Sequence, residues 1–480
     1  MNGKLILRTL GLVLLSEAAA MVPSLLMAFY YRENEWQEFL ASIIITALVG
    51  AVMSWTGTGS SNVGYREGFA IASFGWILLA GFGSLPYILT GALSSPVDAY
   101  FETMSGFTTT GASVISDVEA LSHGMLFWRS ITHWLGGMGI IVLTVALIPS
   151  LKIAGLQMFK AEVPGPTKSK VLPRIAQTSR ELYKIYLVIT AAEIVLLKLA
   201  GMNWFDSFIH TFGTVATGGF SSKNLSIAAY DSALIEGIIV FFMIICGMNF
   251  ALHYYTLRGN FRPLLKDAEA RLYLGIIAVA VVFIAFNLVN SAGYAAGKAA
   301  RDSIFQVASI ITTTGFASAD FDQWPPMSKA ILFILMFVGG CAGSTGGAIK
   351  VSRMLIMFKG ISRQITKLIH PQAVIPLRIG KEIVSQDVLD NVQTFFFMYI
   401  FIFGISVILV ASMGIDLVSS LSAVAATLGN VGPGFGMVGP MTNFSSMPAA
   451  VKVVLSLCML IGRLELYTIL VIFSGRFWRG

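Results

Sequence analysis

With 480 residues, 56% of them hydrophobic and only 12% charged, the chain is too greasy for a soluble globular protein, in which roughly 25% of residues are charged. Its net charge of +7 is no mark of nucleic-acid binding, because in a membrane protein the placement of Lys and Arg encodes orientation. Cys246, Cys341 and Cys458 are odd in number and widely spaced, which excludes a disulfide framework and a cysteine metal site.

In chain order, hydrophobic windows predict membrane spans over 5–30, 38–56, 68–92, 124–150, 182–201, 232–257, 271–292, 327–357, 389–412 and 448–475. One helical crossing needs about 20 apolar residues. The first run is followed by Arg32, Glu33 and Asn34 and then a second apolar run. It lacks a small-residue cleavage pattern, so it reads as a span and not as a removable signal. Four further apolar segments, 98–110, 206–217, 302–314 and 416–431, are too brief to cross and read as re-entrant.

Basic residues crowd particular loops: Lys152, Lys160, Lys168, Lys170, Arg174 and Arg180, then Arg258, Arg262, Lys266 and Arg271, then Arg353, Lys359, Arg363, Lys367, Arg378 and Lys381. Lys4, Arg8, Arg476 and Arg479 place both termini on the same side. The positive-inside rule makes that side cytoplasmic. Ten spans, an even number, agree with it.

The short segments read DAYFETMSGFTTTG from Asp98, DSFIHTFGTVATG from Asp206, DSIFQVASIITTTG from Asp302 and, in looser register, DLVSSLSAVAATLGNVG from Asp416. Ten residues separate Phe101 from Gly111, Phe208 from Gly218 and Phe305 from Gly315. Repetition on this scale means one structural unit used four times: span, short re-entrant helix, polar loop, span. The expected fold is an all-α polytopic membrane protein with four such repeats around a central pore. Residues 1–60 supply two extra N-terminal helices, and the repeats occupy 61–160, 161–260, 261–370 and 371–480.

Irregular backbone survives in hydrocarbon only inside protein or along a watery cavity. Four irregular loops satisfy that condition together by facing one axis. Glycine reaches dihedrals closed to other residues, and a ring of carbonyl oxygens replaces the hydration shell of a monovalent cation. The short helices end at these loops, so their negative dipole ends point at the ion. A lone TTTG would be read as a small-residue packing patch; four copies favour the pore. Nothing basic accompanies the loops, which disfavours an anion path, and no carboxylate lies in them for a divalent cation.

The phrases FTTTGASV, VATGGFSS, ITTTGFAS and LGNVGPGFG, with HWLGGMGIIV after the first and GRLELYT in the last span, resemble the Trk/Ktr potassium transporter family over essentially the whole chain. The two extra N-terminal spans make it similar to the TrkH-type bacterial branch. The resemblance implies K+ as the transported ion, with no organic cofactor in this chain. It also implies a homodimer in the bacterial cytoplasmic (inner) membrane and a cytosolic nucleotide-binding regulatory subunit of TrkA type. It carries the filter onto Thr109, Thr110 and Gly111; Ala216, Thr217 and Gly218; Thr313, Thr314 and Gly315; and Asn430, Val431 and Gly432.

Three polar features remain. Arg463 lies mid-span at a cost of roughly 2.5–3.5 kcal/mol. It reads as an ion-pair member with Glu465 or, as the resemblance implies, as a barrier beneath the filter. The segment Gly339–Lys350, with Gly339, Gly340, Gly343, Ser344, Gly346 and Gly347, interrupts the span 327–357. It reads as close helix packing or as an unwound gate, with Lys350 at its cytoplasmic end. His133 reads as a packed residue before a proton relay, and Trp128, Trp204 and Trp324 as interfacial anchors. No nucleophile–base pair, HExxH or Walker sequence appears, so the chain is expected not to be an enzyme. A coupled symporter working by alternating access stays open, since repeats also build transporters. An intramembrane enzyme using Glu193, Glu465 or His133 fits four equivalent loops poorly.

Overall fold

The computed structural model describes residues 1–57, 64–137, 139, 175–380 and 382–479. The latter part of the span expected over 124–150 lies outside the described residues, as do Lys152 to Arg174 of the first basic loop. Among the described residues five helices are long and apolar enough to cross a membrane: Gly3–Tyr30, Trp36–Thr56, Arg66–Leu89, Ala268–Ala292 and Gln386–Ser412. The protein is a multi-pass membrane protein, and its apolar side chains face outward accordingly. Phe286 is 68% and Ile408 69% exposed, as lipid-facing residues are.

The first two helices meet through small residues. A Cβ on Gly11 would sit 2.6 Å from Gly50 O, and one on Gly50 would sit 2.9 Å from Gly11 O. Such close backbone approach is the usual means of helix association in lipid.

Two expected spans are bent. The run 232–257 forms helices Ala233–Cys246 and Phe250–Leu257 at 106°, and 448–475 forms Ala449–Arg463 and Tyr467–Phe473 at 111°. At the first bend Asn249 Oδ1 caps the new helix, accepting from Ala251 N at 2.9 Å. At the second, Glu465 and Leu466 take left-handed φ values of 54° and 62°. The run 327–357 divides into helices Pro326–Leu335 and Val351–Ile369 with irregular chain between.

Four short helices, Pro96–Phe107, Trp204–Val215, Ala296–Ile311 and Leu417–Leu428, enter the protein without crossing it. A helix of 12 residues is about 18 Å long, well short of a roughly 30 Å hydrocarbon core. Their starts are written in the sequence. Ser95, Asn203 and Asp416 cap the backbone N–H groups of Asp98, Asp206 and Ser419. Asp98 and Asp206 lie in first turns, where a carboxylate complements the dipole. The third helix differs: it begins at Ala296 without a side-chain cap, and Asp302 lies well inside it.

Among the described residues the fold is all-α save for one two-residue ladder, Arg378–Ile379 against Glu382–Ile383, and an isolated bridge between Val338 and Ile349. Two of the tryptophans read as interfacial anchors prove to be core residues. Trp128 is fully buried and donates from Nε1 to Gly83 O at 2.9 Å, and Trp324 is buried as well. Only Trp204, 55% exposed, remains at the surface, because the other two lie on faces turned toward neighbouring helices.

Candidate functional site

Each short helix ends in the same backbone motif. Its last turn is followed by a left-handed residue, then by an ordinary one, then by a left-handed glycine. The first left-handed residues are Thr109 (φ 52°), Thr217 (55°), Thr313 (59°) and Asn430 (53°). The glycines are Gly111 (82°), Gly219 (81°), Gly315 (83°) and Gly432 (103°). A β-branched residue held at positive φ costs on the order of 1–3 kcal/mol and persists only where its surroundings over-determine it. Three threonines at equivalent places carry that strain. The alternation of hand turns successive carbonyls to one side of the chain.

Hydrogen bonds fix the equivalence. Thr110 N, Gly218 N, Thr314 N and Val431 N each donate back into the last turn of their own helix, to Ser105 O, Gly213 O, Ser309 O and Ala426 O, at 2.9, 2.7, 2.9 and 2.7 Å. This corrects the register in the second loop. Ala216 is the helix cap in right-handed conformation, and the second loop is Thr217, Gly218 and Gly219. The sequence count went astray because GG offers two glycines and the phenylalanine used as marker, Phe208, is one place before the true equivalent, Ile209. We therefore expect Gly219→Ala to reduce cation flux by about tenfold or more, since a left-handed non-glycine costs roughly 1–2 kcal/mol. Ala216→Gly should change flux far less; flux in proteoliposomes compares them.

The four loops close on one another. A Cβ on Gly111 would overlap Gly218 O, one on Gly219 would overlap Thr314 O, and one on Gly315 would overlap Val431 O. One on Gly432 would lie 2.7 Å from Thr110 O. First touches second, second third, third fourth and fourth first: a closed ring of backbone carbonyls around one axis. Side chains tie it further, with Asn430 Nδ2 donating to Thr110 Oγ1 at 2.9 Å and to Met459 O at 3.0 Å. His133 packs rather than reaching open space: Nδ1 lies 2.7 Å from Gly106 O, and the ring stacks on Phe220 at 3.9 Å.

Gly339–Lys350 is irregular and lies against the ends of three short helices. Thr345 Oγ1 donates to Val215 O at 3.2 Å, and Gly347 N donates to Thr313 Oγ1 at 2.7 Å. A Cβ on Gly346 would be 3.0 Å from Thr312 O, and one on Gly347 would be 2.5 Å from Gly429 O. Gly343 is left-handed, with φ 73°. Gly339 N pairs with Ile349 O at 2.9 Å, so the segment folds back on itself. Cys341 N reaches Gly247 O at 2.8 Å and Phe250 N reaches Gly343 O at 3.1 Å, which places the bend of 247–249 around the inserted segment. Ser344 Oγ closes a turn on Cys341 O at 2.7 Å, and a Cβ on Gly340 would meet that hydroxyl at 2.8 Å.

Arg463 ends the helix Ala449–Arg463, at the break inside the bent run 448–475. It is buried and donates to Thr345 O at 2.9 Å and Gly136 O at 2.7 Å. Glu465 forms an ion pair with Arg353 at 2.6 Å. Lys350 closes the irregular segment, just before the helix Val351–Ile369. It is buried, with its ammonium donating to Gly346 O, because a desolvated charge must find a partner within the segment.

Two acids escaped the sequence reading. Glu269 Oε1 accepts from Ala342 N at 2.6 Å and from Ser352 N at 2.9 Å, holding both limbs of the irregular segment. Glu102, fully buried in the first short helix, accepts from Arg129 Nε at 2.7 Å. For Glu102 the available signal was an acid and a base, Arg129, in largely apolar runs; Glu269 stands among Lys266, Asp267 and Arg271 and gave none. Glu193 is buried in helix Ile175–Leu199, while Glu465 pairs with Arg353 and His133 lies against Gly106 O, so the three share no partner among the described residues.

Comparison with known proteins decides the family. The family described as TrkH, a cation transport protein, matches residues 35–479. The chain belongs to it. The Trk system potassium uptake protein TrkH of Halomonas elongata is 40% identical, with all of both chains covered. Its namesake in Escherichia coli K12 is 38% identical over the same full extent. The crystal structure of the potassium transporter TrkH from Vibrio parahaemolyticus superposes with a TM-score of 0.90 at 36% identity, covering 100% of each chain. Membership of this family makes the chain a transport protein and not an enzyme.

Proposed function

We propose that this protein admits potassium through a selectivity filter formed by the four loops. The closed carbonyl ring of Thr109–Gly111, Thr217–Gly219, Thr313–Gly315 and Asn430–Gly432 is the observation that carries the reading. Such a ring replaces the ion's hydration shell without formal charge, and four helix C-termini add negative dipole ends. The relatives at 40% and 38% identity are named as potassium uptake proteins, which supports K+ as the ion.

Gly339–Lys350 acts as an intramembrane gate with Arg463 beside it. Packing against three helix ends, it lies in the path of an ion leaving the ring, and its own glycines leave it easy to rearrange. A cytosolic nucleotide-binding subunit of TrkA type biases that segment. The relatives' designation as parts of a Trk system supports a second component. The protein works as a homodimer in a bacterial cytoplasmic membrane with both termini inside, the side on which the Lys- and Arg-rich loops lie.

Flux from purified protein in liposomes tests the proposal. K+ entry is expected to exceed Na+ entry by about tenfold or more, the mark of a carbonyl filter, and to continue without an imposed proton or sodium gradient. Flux that stops when those gradients are collapsed would mean coupled symport by alternating access instead.

A further inference from the structure

Equivalent positions in the four short helices brace the strand that leaves each loop, and they do so with different chemistry. Glu102 Oε2 accepts from Val114 N at 2.8 Å, and its Oε1 accepts from Ser113 Oγ at 3.0 Å. His210 Nε2 lies 2.9 Å from Ser221 Oγ. The Gln306 carboxamide oxygen, turned toward the strand, accepts from Ser318 N at 2.8 Å. The fourth position is Ala423, and its neighbour Ser422 takes over, exchanging hydrogen bonds with Phe435 N and O at 3.0 and 2.9 Å.

Of these four braces the first is a carboxylate, and its network reaches a second loop through an arginine. Arg129 binds Glu102 through Nε at 2.7 Å and donates from Nη1 to Ser221 O at 3.0 Å. Its guanidinium lies 3.7 Å from the centre of the Phe220 ring. Phe220 and Ser221 follow Gly219 directly, while Ser113 and Val114 follow Gly111 closely. One ion pair therefore joins the outgoing strands of loops one and two.

We propose that Glu102 and Arg129 form a positioning pair for cation discrimination, fixing the separation of the first and second filter strands. The inference rests on the filter reading above. Stability alone is a weak reason for the pair, because a buried ion pair is often matched or bettered by apolar residues of similar size. The planar guanidinium instead supplies geometry: donors held in a fixed fork set the distance between the groups they bind. Carbonyl oxygens that discriminate between cations depend on where such braces hold them.

Two conservative variants test it. Glu102→Gln keeps shape and an acceptor but removes the charge, and Arg129→Lys keeps the charge but loses the fork. Each is reconstituted beside the unmutated protein, and K+ and Na+ entry are measured per folded molecule together with the melting temperature. The K+/Na+ ratio is expected to fall by about tenfold in both, a readout that loss of stability by itself does not move. An unchanged ratio in a folded variant overturns the proposal. So does failure of both variants to fold, because the pair then serves assembly. A lack of K+ preference in the unmutated protein would defeat the filter reading beneath it.

Discussion

Gly315→Ser is expected to lower the K+/Na+ flux ratio by about tenfold or more, an energy near 1.4 kcal/mol. Two independent costs converge on this position. Its φ of 83° is a conformation that costs an L-residue roughly 1–2 kcal/mol. Its Cβ would also overlap Val431 O of the next loop, so the chain must rotate and take a ring carbonyl with it. The helix beneath, Ala296–Ile311, keeps its own hydrogen bonds, including Thr312 N to Ala308 O at 3.0 Å. Folded protein should therefore still be recovered. Paired K+ and Na+ flux measurements in liposomes check the ratio, and equal discrimination by mutant and unmutated protein would remove Gly315 from the filter.

Arg463→Ala is expected to raise K+ flux by an order of magnitude. At an effective dielectric near 20 a unit positive charge repels a cation by about 4 kcal/mol at 4 Å and by about half that at twice the distance, and the smaller value is already roughly a thirtyfold factor in rate. The arginine also donates to Thr345 O at 2.9 Å, so its removal loosens the irregular segment. A purely structural arginine predicts another outcome: a lower melting temperature with flux per molecule unchanged. Measuring both on one preparation separates the two roles.

The architecture was legible because its determinants are local. Span length, the brevity of segments such as Leu417–Leu428, and the recurrence of Thr and Gly at helix ends are all read within short windows of sequence. Three helix starts rest on equally local chemistry, since Ser95, Asn203 and Asp416 cap backbone groups only three residues away, whereas the third helix starts uncapped at Ala296, six residues before the expected Asp302. Glycine-rich 339–350 announced an interruption for the same reason: helix propensity is a property of the residues themselves.

What the chain could not state locally was decided by contacts between distant segments. The second loop begins at Thr217 and not at Ala216 because ring closure selects which glycine sits against Thr314 O. The bend at 247–249 exists because Cys341 N and Gly343 O, nearly a hundred residues on, supply partners for Gly247 O and Phe250 N. Lys350, Trp128 and Trp324 are buried because other helices cover them. Glu102 and Glu269 carry their roles through Arg129, Ala342 and Ser352. Composition and periodicity report which groups need burial or a partner. Which partner each group finds depends on packing that brings remote residues within hydrogen-bonding distance, and that exists only in the folded chain.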